Sequence, residues 1–204
     1  MTRKLTGERV VLATRNPGKV RELRLLLSGC GVKALSACEL GLEAPEETED
    51  TFTGNARIKA IGAVESSGLP AIADDSGLEI DALEGKPGVA TADWAETPNG
   101  RNYRAAMTRV WELLETISAP EPRTARFCST ICAAWPDGCC EYFHGYVDGR
   151  IVWPIRGEAG FGFDPIFVPD GFSQTFGEMD PALKAEISHR ARSMEAFKLG
   201  CLGD

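Results

Sequence analysis

Adjacent carboxylates at Asp74 and Asp75, followed by Ser76 and Gly77, are the residues whose types and spacing most directly suggest chemistry. They follow a short apolar run, Pro70 to Ala73, that reads as the end of a buried strand. A second strand-like run, Leu78 to Leu83, comes after them, so the pattern places the carboxylates on a turn. Neighbouring Asp side chains repel, and a fold holds them together cheaply only where a cation, a donor network or a shared proton compensates. A hard divalent cation such as Mg2+ meets that need. It takes oxygen ligands from one or two carboxylates and completes its shell with water and substrate phosphate. The alternative is an Asp-Asp-Ser-Gly surface turn with no ligand, since these are common turn residues.

Further stretches carry groups suited to a phosphate or a base. Thr14, Arg15, Asn16, Pro17, Gly18 and Lys19 form a polar loop between a strand-like run, Arg9 to Ala13, and a helical spacing of Val20, Leu23, Leu26 and Leu27. In that layout the N–H groups of a helix N-terminus and a lysine can cradle phosphate. Asn-Pro-Gly is equally a good turn with no ligand, and the Walker A spacing is absent. Glu39, Glu43, Glu46, Glu47, Glu49 and Asp50 make an acidic loop that is either solvated or supplies a ligand to a metal held by Asp74 or Asp75. Between Gly157 and Phe167, glycines and aromatics are dense. Phe161 or Phe163 either offers a stacking face to a planar base or plugs the core beneath a turn. Near the C-terminus, Lys184, Ser188, His189 and Arg190 are expected to project from a helix surface and suit a polyanion and a base edge.

The elements that position these groups follow from hydrophobic periodicity. Phe52, Ala56, Ala60, Ala63 and Val64 give a helix over 51–67 that Gly68 ends, with Asn55 and Lys59 together on one side, facing a cleft or forming an ordinary polar face. Gly85 to Trp94 is a punctuated loop long enough to cover a site. Tyr103, Ala106, Met107, Val110, Trp111, Leu114 and Ile117 predict a helix over 99–117 whose stripe is core packing or a partner interface, with no cofactor role. Ala125 to Trp135 and Cys139 to Val147 flank a Pro-Asp-Gly turn and predict an antiparallel hairpin, with Asp148-Gly149 allowing another turn. Asp180-Pro181 opens a last helix striped by Leu183, Ile187, Ala191, Met194 and Phe197. Alternating strand and helix at the start, with a β-rich middle, predict an α/β fold: a mixed sheet with helices and two lobes around a cleft, in one domain over 1–204.

With 43% hydrophobic and 25% charged residues among 204, the chain has an ordinary globular composition and enough length for a sizeable core. A net charge of −8 argues against a nucleic-acid backbone or an anionic membrane as main partner. A small anionic ligand then requires basic groups that converge locally. Met1 to Glu8 has no apolar core of signal-peptide length, and no stretch approaches the roughly 20 apolar residues of a membrane span, so a cytoplasmic location is expected. The seven cysteines include no C-x-x-C pair. Free thiols in a reducing compartment are expected, with a thiolate metal site around Cys128, Cys132, Cys139 and Cys140 as the alternative.

Taken in order, Thr14-x-Asn16-x-x-Lys19, Ala73-Asp74-Asp75-Ser76-Gly77-Leu78, Gly85-x-Pro87-Gly88, Phe161-Gly162-Phe163-Asp164-Pro165-Ile166-Phe167 and Lys184-x-x-x-Ser188-His189-Arg190 resemble the inosine triphosphate pyrophosphatase family, the bacterial XTP/dITP diphosphatases. The resemblance runs from about residue 9 to residue 198. It implies an elongated central mixed sheet with two lobes, a homodimer, and Mg2+-dependent hydrolysis of ITP, dITP and XTP to the monophosphate and pyrophosphate. It implies Asp75 as general base and metal carboxylate, Asp74 beside it, Lys19 as a catalytic cation, and Glu46 as upstream metal acid with Glu47 a near-equal choice. Thr14 through Lys19 would hold triphosphate with Ser76 alongside. Phe161, Gly162, Phe163, Asp164, Lys184, His189 and Arg190 would hold base, sugar or phosphate. Phe163 departs from the family's usual tyrosine and Arg15 from a frequent small residue. A Maf-like pyrimidine nucleotide pyrophosphatase and a non-hydrolysing nucleotide-binding protein are the competing readings.

Overall fold

The computed structural model of the chain describes residues 3–5 and 9–203, apart from the Leu26 side chain, so the reading of Met1 to Glu8 lies largely outside the described residues. The elements are β1 (Arg9–Leu12), α1 (Pro17–Leu27), β2 (Lys33–Ser36), α2 (Phe52–Ser67), β3 (Ala71–Ile80), β4 (Pro87–Gly88), α3 (Tyr103–Thr116), β5 (Thr124–Ala134), β6 (Cys140–Ile151), β7 (Phe167–Pro169), α4 (Pro181–Ile187) and α5 (His189–Phe197). The sheet order is β2-β1-β3-β5-β6-β7, with β4 on β3. Pairing is parallel for β1 with β2 and β3, and antiparallel for β3 with β4 and β6 with β7. The fold is therefore the mixed α/β arrangement that the alternating pattern predicts.

The chain forms two compact units, one of Met1–Asp75, Ser129–Gly145 and Arg190–Asp204, the other of Ser76–Cys128 and Tyr146–His189. In the first, strand alternation divides the apolar residues between two faces. Val10, Leu12 and Ile72 pack with Leu23 and Leu27 of α1 and Met194 and Phe197 of α5. Val11, Ala13, Ala71 and Ala73 pack with Ala56, Ala60, Ala63 and Val64 of α2. A parallel sheet covered on both faces explains why β1 and the start of β3 read as unbroken apolar runs. Each fully buried side chain such as Leu12, Leu23 or Ile72 stabilises the unit by about 1.5–3 kcal/mol, which offsets the cost of taking carboxylates inside. The second unit has its own core. Leu78 and Ile80 of β3, Val110 and Leu114 of α3, Phe127 of β5, Ile151 of β6 and Phe163, Phe167 and Phe176 build it.

Local signals set the helix ends. Asn16, Thr51, Asn102 and Asp180 accept backbone N–H groups at the starts of α1, α2, α3 and α4, and Gly68 closes α2 at φ 66°. Three expectations change. Asp74-Asp75-Ser76-Gly77 is no turn but the middle of β3, where each carboxylate meets a cation on its own face. β6 runs through Asp148-Gly149 to Ile151. Gly149 is there for close approach rather than turning, since a Cβ on it would lie 2.3 Å from the Val168 carbonyl. The C-terminal helix breaks at Ser188, whose ψ of 157° is extended. Ile187 packs against the second unit's core, whereas Met194 and Phe197 belong to a core of the first.

Candidate active site

Adjacent residues on a strand point to opposite faces, and that alone decides what surrounds the two aspartates. Asp74 shares the face of Ile72, toward α1 and α5. Its Oδ1 lies 2.8 Å from the Lys19 Nζ, and its two oxygens lie 3.5 and 3.4 Å from the Arg190 Nε. Arg190 in turn places Nη1 2.6 Å from the Glu22 Oε2. Burial works to raise the Asp74 pKa, but Lys19 and Arg190 outweigh it and hold the carboxyl well below its usual range. Burial also lowers the Lys19 pKa against the pull of Asp74.

Asp75 shares the face of Ala71 and Ala73, toward α2. The Lys59 Nζ sits 2.7 Å from the Asp75 Oδ1 and 2.9 Å from the Glu47 Oε2. The Asp75 Oδ2 is buried and accepts no hydrogen bond from any described residue. Burial pushes the Asp75 pKa up to about 6, with Lys59 acting in the opposite direction. One turn before Lys59, the buried Asn55 accepts the Glu49 N–H through Oδ1 at 3.0 Å and so ties the acidic loop to α2. Of the two neighbouring, exposed glutamates of that loop, Glu46 and Glu47, it is Glu47 that reaches the lysine.

A lysine ammonium held between two carboxylates, one with an unused buried oxygen, tests whether the residues suit a divalent cation. They do. Among the described residues no three His, Cys, Asp or Glu side chains form a cage. Mg2+ needs no cage, because one or two carboxylates with phosphate oxygens and water complete its shell. The cysteines give no comparable set. None of the seven is in a disulfide, and burial pushes the thiols of Cys128 and Cys132 up, away from the thiolate a metal binds.

The loop before α1 is self-capped. The Asn16 Oδ1 accepts the Gly18 and Lys19 N–H groups at 2.9 and 3.4 Å, and the Asn16 N–H donates to the Thr14 Oγ1 at 3.2 Å. Pro17 has no N–H, so the donors expected to cradle phosphate are turned to Asn16 in this structure. Arg15 is exposed.

The second unit holds the remaining expected residues up to His189, and Arg190 belongs to the first. Phe161 is 42% exposed, whereas Phe163 is 1% exposed with its ring edge on Tyr103 at 6.0 Å. The stacking face expected of either belongs to Phe161, and Phe163 plugs the core. Asp164 is buried and accepts both the Phe161 N–H, at 2.6 Å, and the Lys184 ammonium. The Lys184 Nζ lies 5.1 Å from the Phe161 ring centroid. Gly160, at φ 75°, has no room for a Cβ, which would stand 2.1 Å from the Asp164 Oδ2. Gly162 is left-handed at φ 68°, and Ser76 is half-buried on β3. Ser188, His189 and Arg190 do not project as expected; they are 7%, 5% and 4% exposed, and His189 stacks on Phe127 at 4.9 Å. A break in the helix turns them inward. Sequence reasoning left Lys59, with Asn55, either facing a cleft or on an ordinary polar face and gave it no catalytic role, and it missed Glu22. The usable signal was spacing: Lys59 follows Asn55 by one turn, and Glu22 follows Lys19 by three residues.

The family model described as the Ham1 family matches residues 10–199. The chain is similar to a dITP/XTP pyrophosphatase of Ruegeria pomeroyi, with 57% identity over 203 residues covering 100% of both chains. It is 51% identical to one of Agrobacterium fabrum, over 98% of this chain and 99% of that one. Among solved structures, a HAM1 protein from Coxiella burnetii superposes with a TM-score of 0.88 at 36% identity, covering 94% of this chain and 97% of the other.

Proposed function

The chain belongs to the Ham1 family, and from that premise we propose that it hydrolyses deaminated purine nucleoside triphosphates, namely ITP, dITP and XTP, to the monophosphate and pyrophosphate. Relatives named dITP/XTP pyrophosphatase, at 57% and 51% identity over nearly the whole chain, support the reaction. The observation in the structure that carries it is Lys59 bridging Glu47 and Asp75 while the second oxygen of Asp75 stays buried and unused.

Asp75 and an acid of the preceding loop, Glu47 by proximity rather than Glu46, would hold Mg2+. The ion supplies neutralisation of phosphate charge and a more acidic bound water. Asp75 accepts the proton of the water that attacks the α-phosphorus, through the oxygen that no donor occupies. Lys59 fixes the other oxygen of Asp75 and so orients the carboxylate. Lys19 places a cation for the triphosphate beside the loop Thr14 to Gly18, and local positive charge of this kind is needed in a chain of net charge −8. The same reading assigns Ser76, Phe161, Lys184 and His189 to base, sugar or phosphate. Donors aimed at a 6-oxo group would meet the amino group of adenine as donor against donor, worth about 1–3 kcal/mol of discrimination. A homodimer in the cytoplasm accompanies this reading.

The test is pyrophosphate release from ITP, XTP, dITP, ATP, GTP, dTTP and UTP, with Mg2+ and with EDTA. Fast Mg2+-dependent cleavage of ITP, dITP and XTP with ATP and GTP slow is expected. Preference for dTTP or UTP would replace the reading with a pyrimidine-directed enzyme, and silence on every nucleotide would replace it with a binding protein.

A further inference from the structure

Lys19 and Glu22 lie three residues apart on α1, and a chain of alternating charge leaves one and returns to the other. Lys19 pairs with Asp74 on β3 at 2.8 Å, Asp74 faces Arg190 on α5, and Arg190 pairs with Glu22 at 2.6 Å. Asp74 and Arg190 are 1% and 4% exposed. The distances are uneven in a telling way. A charge-assisted N–H···O bond runs at about 2.7–2.9 Å. The Arg190 to Asp74 separations of 3.4 and 3.5 Å are long, while those to Glu22 and from Lys19 to Asp74 are close. The guanidinium is thus drawn toward Glu22 and away from the carboxylate that Lys19 uses. Without Glu22, Lys19 and Arg190 would both draw on the Asp74 carboxylate, and a bidentate guanidinium competes well against an ammonium for a carboxylate.

We propose that Glu22 is a positioning residue: by holding Arg190 back it keeps Asp74 for Lys19, and so fixes the ammonium where the triphosphate is to be bound. Its link to the triphosphate rests on the function proposed above, whereas the placement of Lys19 does not.

The test uses the full chain as wild type and as Glu22→Ala, Glu22→Asp and Glu22→Gln, with two readouts. The first is the acylation rate of each lysine with an amine-reactive ester, read by peptide mass spectrometry. Lys19 should react several-fold faster in Glu22→Ala, while Lys59 and Lys184, themselves buried in ion pairs, keep their wild-type rates. The second is steady-state kinetics with Mg2+ and ITP. KM should rise about tenfold in Glu22→Ala, the equivalent of about 1.4 kcal/mol, with kcat within about twofold. Glu22→Asp should restore most of both effects, which a loss of bulk packing would not allow. If Glu22→Ala unfolds, seen as Lys184 reacting faster as well, Glu22→Gln decides, since it keeps an acceptor and removes the charge; Lys19 faster with Lys184 unchanged is then the expected result. Lys19 acylation at the wild-type rate in the folded variants overturns the proposal. Inactivity of the wild type would overturn the proposed function instead, and the acylation readout would still decide the placement of Lys19.

Discussion

Asp74 and Asp75 are neighbours in the chain yet never share an environment: one carboxylate lies 2.8 Å from Lys19 on one face of β3, the other 2.7 Å from Lys59 on the opposite face. The pleat separates two like charges that the sequence alone makes look crowded. It also gives them different chemistry. Asp74, between two cations, is held ionised, whereas Asp75, with one cation and a second carboxylate nearby, is poised to take up a proton.

Asp75→Asn keeps the shape of the side chain and removes its capacity to accept a proton. Turnover of ITP should fall by about 10²–10⁴-fold, while the Kd for the Mg-nucleotide, measured calorimetrically, rises far less. Turnover within a few-fold of wild type would refute the assignment of Asp75 as base.

Stability should carry the mark of the same group. The Asp75 pKa is raised by burial from 3.8 to about 6, so between roughly pH 4 and pH 6 the folded protein keeps a proton that the unfolded chain has released. The Asp75 contribution is therefore full below pH 4 and is lost as pH rises through 6. In EDTA, urea unfolding should show Asp75→Asn gaining on the wild type across that window by on the order of 1–3 kcal/mol, with little further change above it. A difference independent of pH would mean that Asp75 is not held in this way.

Lys59→Met removes the ammonium from between Glu47 and Asp75 and leaves two carboxylates facing each other. We expect kcat/KM for ITP to drop by about 10–10³-fold, with the acidic limb of the pH profile displaced to higher pH as the Asp75 carboxylate loses its counter-ion. An unshifted limb would show that Lys59 does not govern the protonation of Asp75.

Gly160→Ala introduces a Cβ where the Asp164 Oδ2 stands, at a backbone φ of 75° that side chains resist. The substitution should cost about 1–3 kcal/mol in urea unfolding and loosen Lys184 from Asp164. Faster acylation of Lys184 than in the wild type is the specific readout, and an unchanged rate would mean that the loop adapts without releasing the pair.

Most of the fold was legible in advance because periodicity and caps are local. The stripe from Phe52 to Val64, the Asp180-Pro181 helix start and the hairpin around Pro136-Asp137-Gly138 all appear where their spacing put them. The two misread turns have one physical source. Asp-Asp-Ser-Gly and Asp-Gly carry strong turn chemistry, but β3 and β6 run through them because pairing and packing on both sides outweigh a local preference. Phe163 belongs to the core and Phe161 to solvent for a similar reason, since the left-handed Gly162 between them turns one ring in and the other out.

By itself, the sequence determined the class of fold and the family and supplied the residue types proposed for the site, because ordered motifs and apolar periods are properties of the chain as written. Only the tertiary structure decided which cation meets which carboxylate. That Lys59 and Glu47 belong to Asp75, and Lys19, Arg190 and Glu22 to Asp74, depends on a strand placing successive side chains on opposite faces, and on α1, α2 and α5 packing against the face that each carboxylate shares. Contacts between residues as distant in sequence as Glu22 and Arg190 are fixed by that packing and leave no mark in local spacing.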